Sequence, residues 1–259
     1  MWQRLAVLGL LAVNALATGA FASPDAAYNV TGDEAGRRLQ RGTAPNPDKT
    51  QMAAVNFDVF VLSAYYWPGH CATSKGIPKC TTMPPQWKSG LVVHGLWPSY
   101  SDAYKKTNKL AANAQGPDGG AMKCLGKPYD KTKVPASAAD QLVFPGAGVS
   151  NKSPDFYQYQ WNKHGICAQM EPAAYWKTAV TLGKAASAKM PAIPATGTIT
   201  AADLQKKLGA GAQPTCFRDA KGRTILWFVN YCYKRTTDIG GQTACPGVSN
   251  CAGTITLKV

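Results

Sequence analysis

At 259 residues, 45% of them hydrophobic, the chain can bury one large core and is too short for more than two small domains. Its formal charge of +14, from 28 Lys and Arg against 14 Asp and Glu, excludes an acidic surface and favours polyanionic partners: nucleic acid, anionic lipid or acidic polysaccharide. Eight cysteines without a C-x-x-C pair, beside only three histidines, argue against a zinc site.

Residues 1–22 place Arg4 before the apolar run Leu5–Ala17 and close on Ala20-Phe21-Ala22. That is the pattern of a cleaved secretory signal peptide, too short in its apolar part to span a membrane. No later stretch approaches 18 apolar residues, so the mature chain is expected to be soluble and secreted, with no membrane partner. Extracellular space, vacuole or lysosome, and periplasm all fit. In an oxidising compartment Cys71, Cys80, Cys124, Cys167, Cys216, Cys232, Cys245 and Cys251 read as four disulfides, although spacing alone leaves 105 pairings open. Residues 23–54 are polar and poor in large aliphatics, as expected of a disordered tail. The dibasic Arg37-Arg38 makes this tail a candidate pro-segment. Asn29-Val30-Thr31 and Asn151-Lys152-Ser153 are glycosylation sequons, the second weakened by Pro154.

Order is expected from Asn56. Phe57–Trp67, rich in β-branched and aromatic residues, predicts a long buried strand ending at Pro68-Gly69. Cys71 and Cys80 bracket a loop suited to a local staple, with His70 a loop residue of no chemical role. Leu91–Val93 predicts a short strand, and His94 falls where it meets a turn built by Gly95 and Pro98. A histidine above a rigid sheet suits catalysis, although a lone one is more often structural.

Residues 101–155 read as a loop-rich insertion. In Tyr159–Cys167 the spacing predicts a helix end on which Gln160, Lys163 and His164 rise from one face, with Gly165 stopping the helix in the left-handed region. A cation, an amide and an imidazole side by side would suit an anionic phosphate; a solvated polar helix face is the plainer reading. Further on, Glu171-Pro172 starts a helix to about Ala186 with Tyr175, Trp176, Ala179 and Val180 on its core face. Thr200 with Asp203 caps a shorter helix through Leu208. Thr224–Tyr233 is a strong buried strand, and Ile255–Val259 a candidate last one.

His94-Gly95-Leu96-Trp97-Pro98 and Trp161-Asn162-Lys163-His164-Gly165-Ile166-Cys167 resemble the two active-site segments of the ribonuclease T2 family. The strand closing on Tyr66-Trp67-Pro68 resembles that family's opening strand. The resemblance covers roughly residues 56–259 and implies one domain over 55–259. Its fold would be α+β, an antiparallel central sheet with helices packed against it and long disulfide-tied loops. It also implies the pairs Cys124–Cys167, Cys216–Cys251 and Cys232–Cys245.

What the resemblance implies chemically is cleavage of single-stranded RNA by a monomer that uses no metal or other cofactor. His164 would be the general base and His94 the general acid, with Lys163 supplying positive charge to the phosphate. Trp97 would offer a stacking surface for a base, with Tyr100 and Tyr104 as weaker candidates. Ser99 stands where some relatives carry an aspartate that helps choose the base. The lysines of residues 101–155 would either track the RNA backbone or form a solvated loop. Three positions depart from the family pattern: Tyr159 for His, Gln160 for Glu and Ile166 for Thr. Gln160 can donate its amide N–H to a phosphate oxygen but cannot carry negative charge, and Tyr159 can bind phosphate only as a neutral donor. Reduced activity is therefore expected, and the alternative is a T2-like protein that binds RNA or another polyanion with weak or no cleavage.

Overall fold

The computed structural model describes residues 56–117, 124, 126–150, 153, 155–194, 196–237 and 239–258. The expectations for the signal peptide, the tail, Arg37-Arg38, Asn29 and Asn151 lie outside the described residues.

A sheet of seven strands among those residues organises the chain. β1 (Val59–Tyr66) has all eight residues buried, as its aromatic and β-branched composition demands. It lies between β2 (Leu91–Ser99) and β5 (Thr224–Arg235), antiparallel to both. β5 also pairs with β4 (Ala212–Arg218) and β6 (Ile239–Thr243). β7 (Thr254–Thr256) runs parallel to β5 and antiparallel to β3 (Thr198–Thr200). The sheet is therefore mixed at that one pairing rather than wholly antiparallel, and α+β is the architecture.

The helices are α1 (Trp67–Thr73), α2 (Pro78–Thr81), α3 (Asp102–Thr107), α4 (Ala138–Val143), α5 (Phe156–Lys163), α6 (Pro172–Ser187) and α7 (Ala201–Leu208), of which α1, α4, α6 and α7 pack on the sheet. Pro172 at the start of α6 and the Thr200 hydroxyl accepting from the Asp203 N–H at α7 are the expected start signals. α6 buries Tyr175, Trp176, Ala179 and Val180 against β2, and the Tyr175 hydroxyl donates to the Leu96 carbonyl at 2.8 Å. Trp67, Trp161, Trp176, Phe144, Leu62 and Leu96 are fully buried at the centre of the core. The insertion carries α3 and α4 rather than loops alone.

All four disulfides close as anticipated: Cys71–Cys80, Cys124–Cys167, Cys216–Cys251 and Cys232–Cys245. Two local expectations are corrected. β1 does stop just before Pro68, but the chain goes on as α1 with Pro68 in its first turn, where a missing N–H costs nothing, so His70 is a buried helical residue rather than a loop residue. β2 does not stop at Val93. It continues through Pro98, which an edge strand tolerates because that side needs no ladder N–H.

Candidate active site

His94 owes its position to an irregularity in the β1–β2 ladder. Ser63 pairs with Gly95 and Ala64 with Val93, so His94 is the extra residue of a bulge in the edge strand. A bulge re-aims the side chain it carries. His94 is 6% exposed, and its ring meets the edge of Trp97 at 5.1 Å and 83°.

The second imidazole comes from the end of α5. His164 is the C-cap, outside helical geometry at φ −128°, and the chain runs on into a short 3-10 turn, Gly165–Cys167. The expected left-handed stop at Gly165 is therefore absent. Glycine is required there for a different reason: a Cβ would sit 2.5 Å from the Trp161 ring. The Cys124–Cys167 disulfide fastens this turn three residues after His164. The His164 ring lies 5.1 Å from Trp97 at 31°. One indole thus contacts both histidines, 70 positions apart in the chain.

The surroundings of His164 disfavour its charged form. Burial holds His164 well below the ordinary histidine range, and the neighbouring Lys163 and His94 charges push the same way. The Lys163 ammonium lies beside Tyr159, donating to its hydroxyl at 3.2 Å and lying 5.6 Å from its ring centroid.

Gln160 is completely buried. Its Oε1 accepts the Trp97 indole N–H at 3.0 Å, while its Nε2 is sealed from water with no hydrogen-bond partner. A Cβ on Gly95 would fall 2.2 Å from the Trp97 nitrogen and 2.3 Å from that Oε1, so only glycine lets this contact form. The amide therefore lies beneath Trp97 rather than at a surface a phosphate could reach.

The remaining candidates are spread around this centre. Ser99 is buried and donates to the Trp97 carbonyl at 3.2 Å. Tyr100 and Tyr104 stack on each other at 5.2 Å and 5°, both half-buried, with burial and Tyr104 raising the Tyr100 phenol. Among the insertion lysines, Lys105 pairs with Asp102 and Lys127 with Glu171, while Lys106, Lys109, Lys131 and Lys133 are exposed. An open groove of about 650 Å³ lies against Tyr129, Asp155 and Gln158 and holds none of the histidine-site groups. Among the described residues no helix is long and apolar enough to cross a membrane, and no cluster of three or more His, Cys, Asp or Glu is arranged to hold a metal.

Two aromatic neighbours of His94 escaped the sequence reading: Tyr65 at 4.5 Å and Phe156 at 5.6 Å, both nearly parallel to its ring. Alternation along β1 would place Tyr65 on one face or the other, but only the bulge brings His94 over to it.

The model of the Ribonuclease T2 family matches residues 57–245. Ribonuclease 1 of Arabidopsis thaliana is 24% identical over 221 residues, 78% of this chain and 86% of that protein. Extracellular ribonuclease LE of Solanum lycopersicum is 30% identical over 136 residues, half of this chain and 52% of that one. Among solved structures, ribonuclease MC1 from the seeds of bitter gourd superposes with a TM-score of 0.55 at 20% identity, covering 77% of this chain and all of that one. RNase NT in complex with 5′-AMP gives 0.56 at 21%, covering 78% of this chain and 98% of that one.

Proposed function

Because the chain belongs to the ribonuclease T2 family and is a T2-type endoribonuclease, we propose that it cleaves single-stranded RNA by transphosphorylation between His94 and His164. The observation that carries this reading is the shared indole, with both imidazoles 5.1 Å from Trp97.

His164 is the general base. Held neutral by burial and by Lys163, it accepts the 2′-hydroxyl proton. The freed 2′-oxygen bonds to phosphorus, the bond to the 5′-oxygen breaks, and His94 as general acid protonates that leaving oxygen. The product is a 2′,3′-cyclic phosphate, opened by water to a 3′-phosphate with the two histidines exchanging roles. Lys163 stabilises the charge that gathers on the non-bridging oxygens, and Tyr159 orients its ammonium. Two imidazoles supply both proton transfers, so the step requires no metal. Trp97 offers its half-exposed face to a base, flanked by the Tyr100–Tyr104 pair. Gln160 and Ser99 act by fixing Trp97, the first through its indole N–H and the second through its carbonyl.

The signal-peptide pattern, four disulfides and an extracellular relative support secretion as a monomer, with residues 55–259 as the working domain. Absence of a carboxylate at Gln160 supports turnover slower than the full family pattern would give.

The test is incubation of the purified protein with single-stranded RNA and, separately, single-stranded DNA in EDTA. RNA should end in 2′,3′-cyclic phosphates and DNA should survive. His94→Ala and His164→Ala should each lose about 10²–10⁴-fold in rate. A wild type that binds RNA without cleaving it, beside a Gln160→Glu variant that cleaves, would replace this reading with that of a binding protein.

A further inference from the structure

His94 stands in a file of stacked rings. Tyr65 of β1 lies 4.5 Å from it at 20°, and Phe156 of α5 lies 5.6 Å from it at 15°. Two rings nearly parallel to a third at these distances cover its two faces. Trp97 closes a third side edge-on. Behind Tyr65 the file continues with His70 of α1, 4.0 Å from the phenol ring at 28°. Tyr65 is 6% exposed and Phe156 4%, so neither ring can swing away into solvent.

Such a clamp has two physical effects. The imidazole cannot flip or tilt without displacing a packed aromatic ring, so only its edge, with its nitrogens, stays available for proton transfer. The faces of Tyr65 and Phe156 also carry the negative part of the aromatic quadrupole and attract a cation placed over them. That attraction opposes the charges around His94. The burial of His94 itself and the His164 ring disfavour its charged form, with Lys163 on the same helix end, while Gln160 and Trp97 are neutral.

We propose that Tyr65 and Phe156 are positioning residues for His94, clamping both faces of its imidazole so that it stays aligned and protonated as the general acid. The proposal rests on the two-histidine reading above.

The variants are Tyr65→Leu and Phe156→Leu, with Tyr65→Phe as the change that keeps the ring. Two readouts apply: the pH dependence of kcat and KM on a dinucleotide, and the NMR titration of the His94 ring. Each leucine variant should lower kcat about tenfold, leave KM within about twofold, and move both the alkaline limb of kcat and the His94 titration to lower pH. Tyr65→Phe should behave as wild type. If Tyr65→Leu does not fold, by near-ultraviolet circular dichroism, Phe156→Leu decides alone. An unmoved His94 titration in a folded leucine variant overturns the proposal, as does a Tyr65→Phe variant as impaired as Tyr65→Leu. Failure of the two-histidine reading would look different: His94→Ala would retain cleavage, and the ring titrations would still report the clamp.

Discussion

The Trp97 indole N–H donates to Gln160 Oε1 at 3.0 Å, and the amide nitrogen of that same buried side chain has no acceptor. A buried donor left unmade costs about 1–3 kcal/mol, so this site carries a local expense for holding one tryptophan in place. Trp97→Phe keeps a ring beside the two histidines but takes away the hydrogen bond that the amide oxygen accepts. It should lower stability to urea by about 1–3 kcal/mol and slow cleavage less than Trp97→Ala does, read from equilibrium unfolding and from kcat/KM on the same preparations.

Gln160→Glu reverses the balance. A carboxylate still accepts the indole N–H, the orphaned N–H disappears, and a negative charge arrives one helical turn before His164. An opposite charge favours the imidazolium, so the acidic limb of kcat/KM should move to higher pH. A more basic His164 should raise the maximal rate by about tenfold. A profile that superposes on wild type would show that position 160 does not sense the site's charge.

Folding itself should respond to His164. Its folded value lies below the ordinary one of about 6.5, so on acidification the unfolded chain gains a proton that the native state resists. Stability from this group is therefore whole above about pH 6.5 and falls as pH drops from there toward the folded value, with a slope of at most about 1.4 kcal/mol per pH unit. His164→Gln should flatten that part of the curve. Lys163→Met removes one of the forces depressing His164. It should shift the acidic limb of kcat/KM toward ordinary histidine behaviour while lowering kcat about 10²-fold through the lost phosphate contact.

The Cys124–Cys167 bridge closes 43 residues of chain and ends on the turn that presents His164. Replacing both cysteines by serine should cost about 4 kcal/mol by the loop-entropy relation, measured by unfolding in urea. Activity should fall at temperatures well below the new melting point, since the imidazole is then held from α5 alone.

Much of this was legible in the residues themselves. Helix α6 announced its ends and its core face, β5 its strand, and the two active-site segments the family. What escaped depended on partners distant in sequence. Pro98 looked like a stop because nothing local says that β2 is an edge strand. Pro68 did mark the end of β1, but the helix that follows it went unread because a strand terminus and the first turn of a helix tolerate proline equally. The stacking of Tyr65 on His94 went unread because the His94 bulge exists only as a mismatch between two strands. Gln160 looked like a phosphate donor until Gly95 let Trp97 close over it.

β1 offers every one of its eight side chains to the interior and takes β2 on one side and β5 on the other. During synthesis the second partner reaches it only after about 160 further residues, roughly 10–30 s at ordinary elongation speeds. Throughout that interval a nascent chain emerging from the ribosome carries an apolar ribbon with one open edge, the kind of segment that chaperones shield and that aggregates when they are absent. Yield of active protein in a foreign host should therefore be governed less by the catalytic residues than by how long that edge waits.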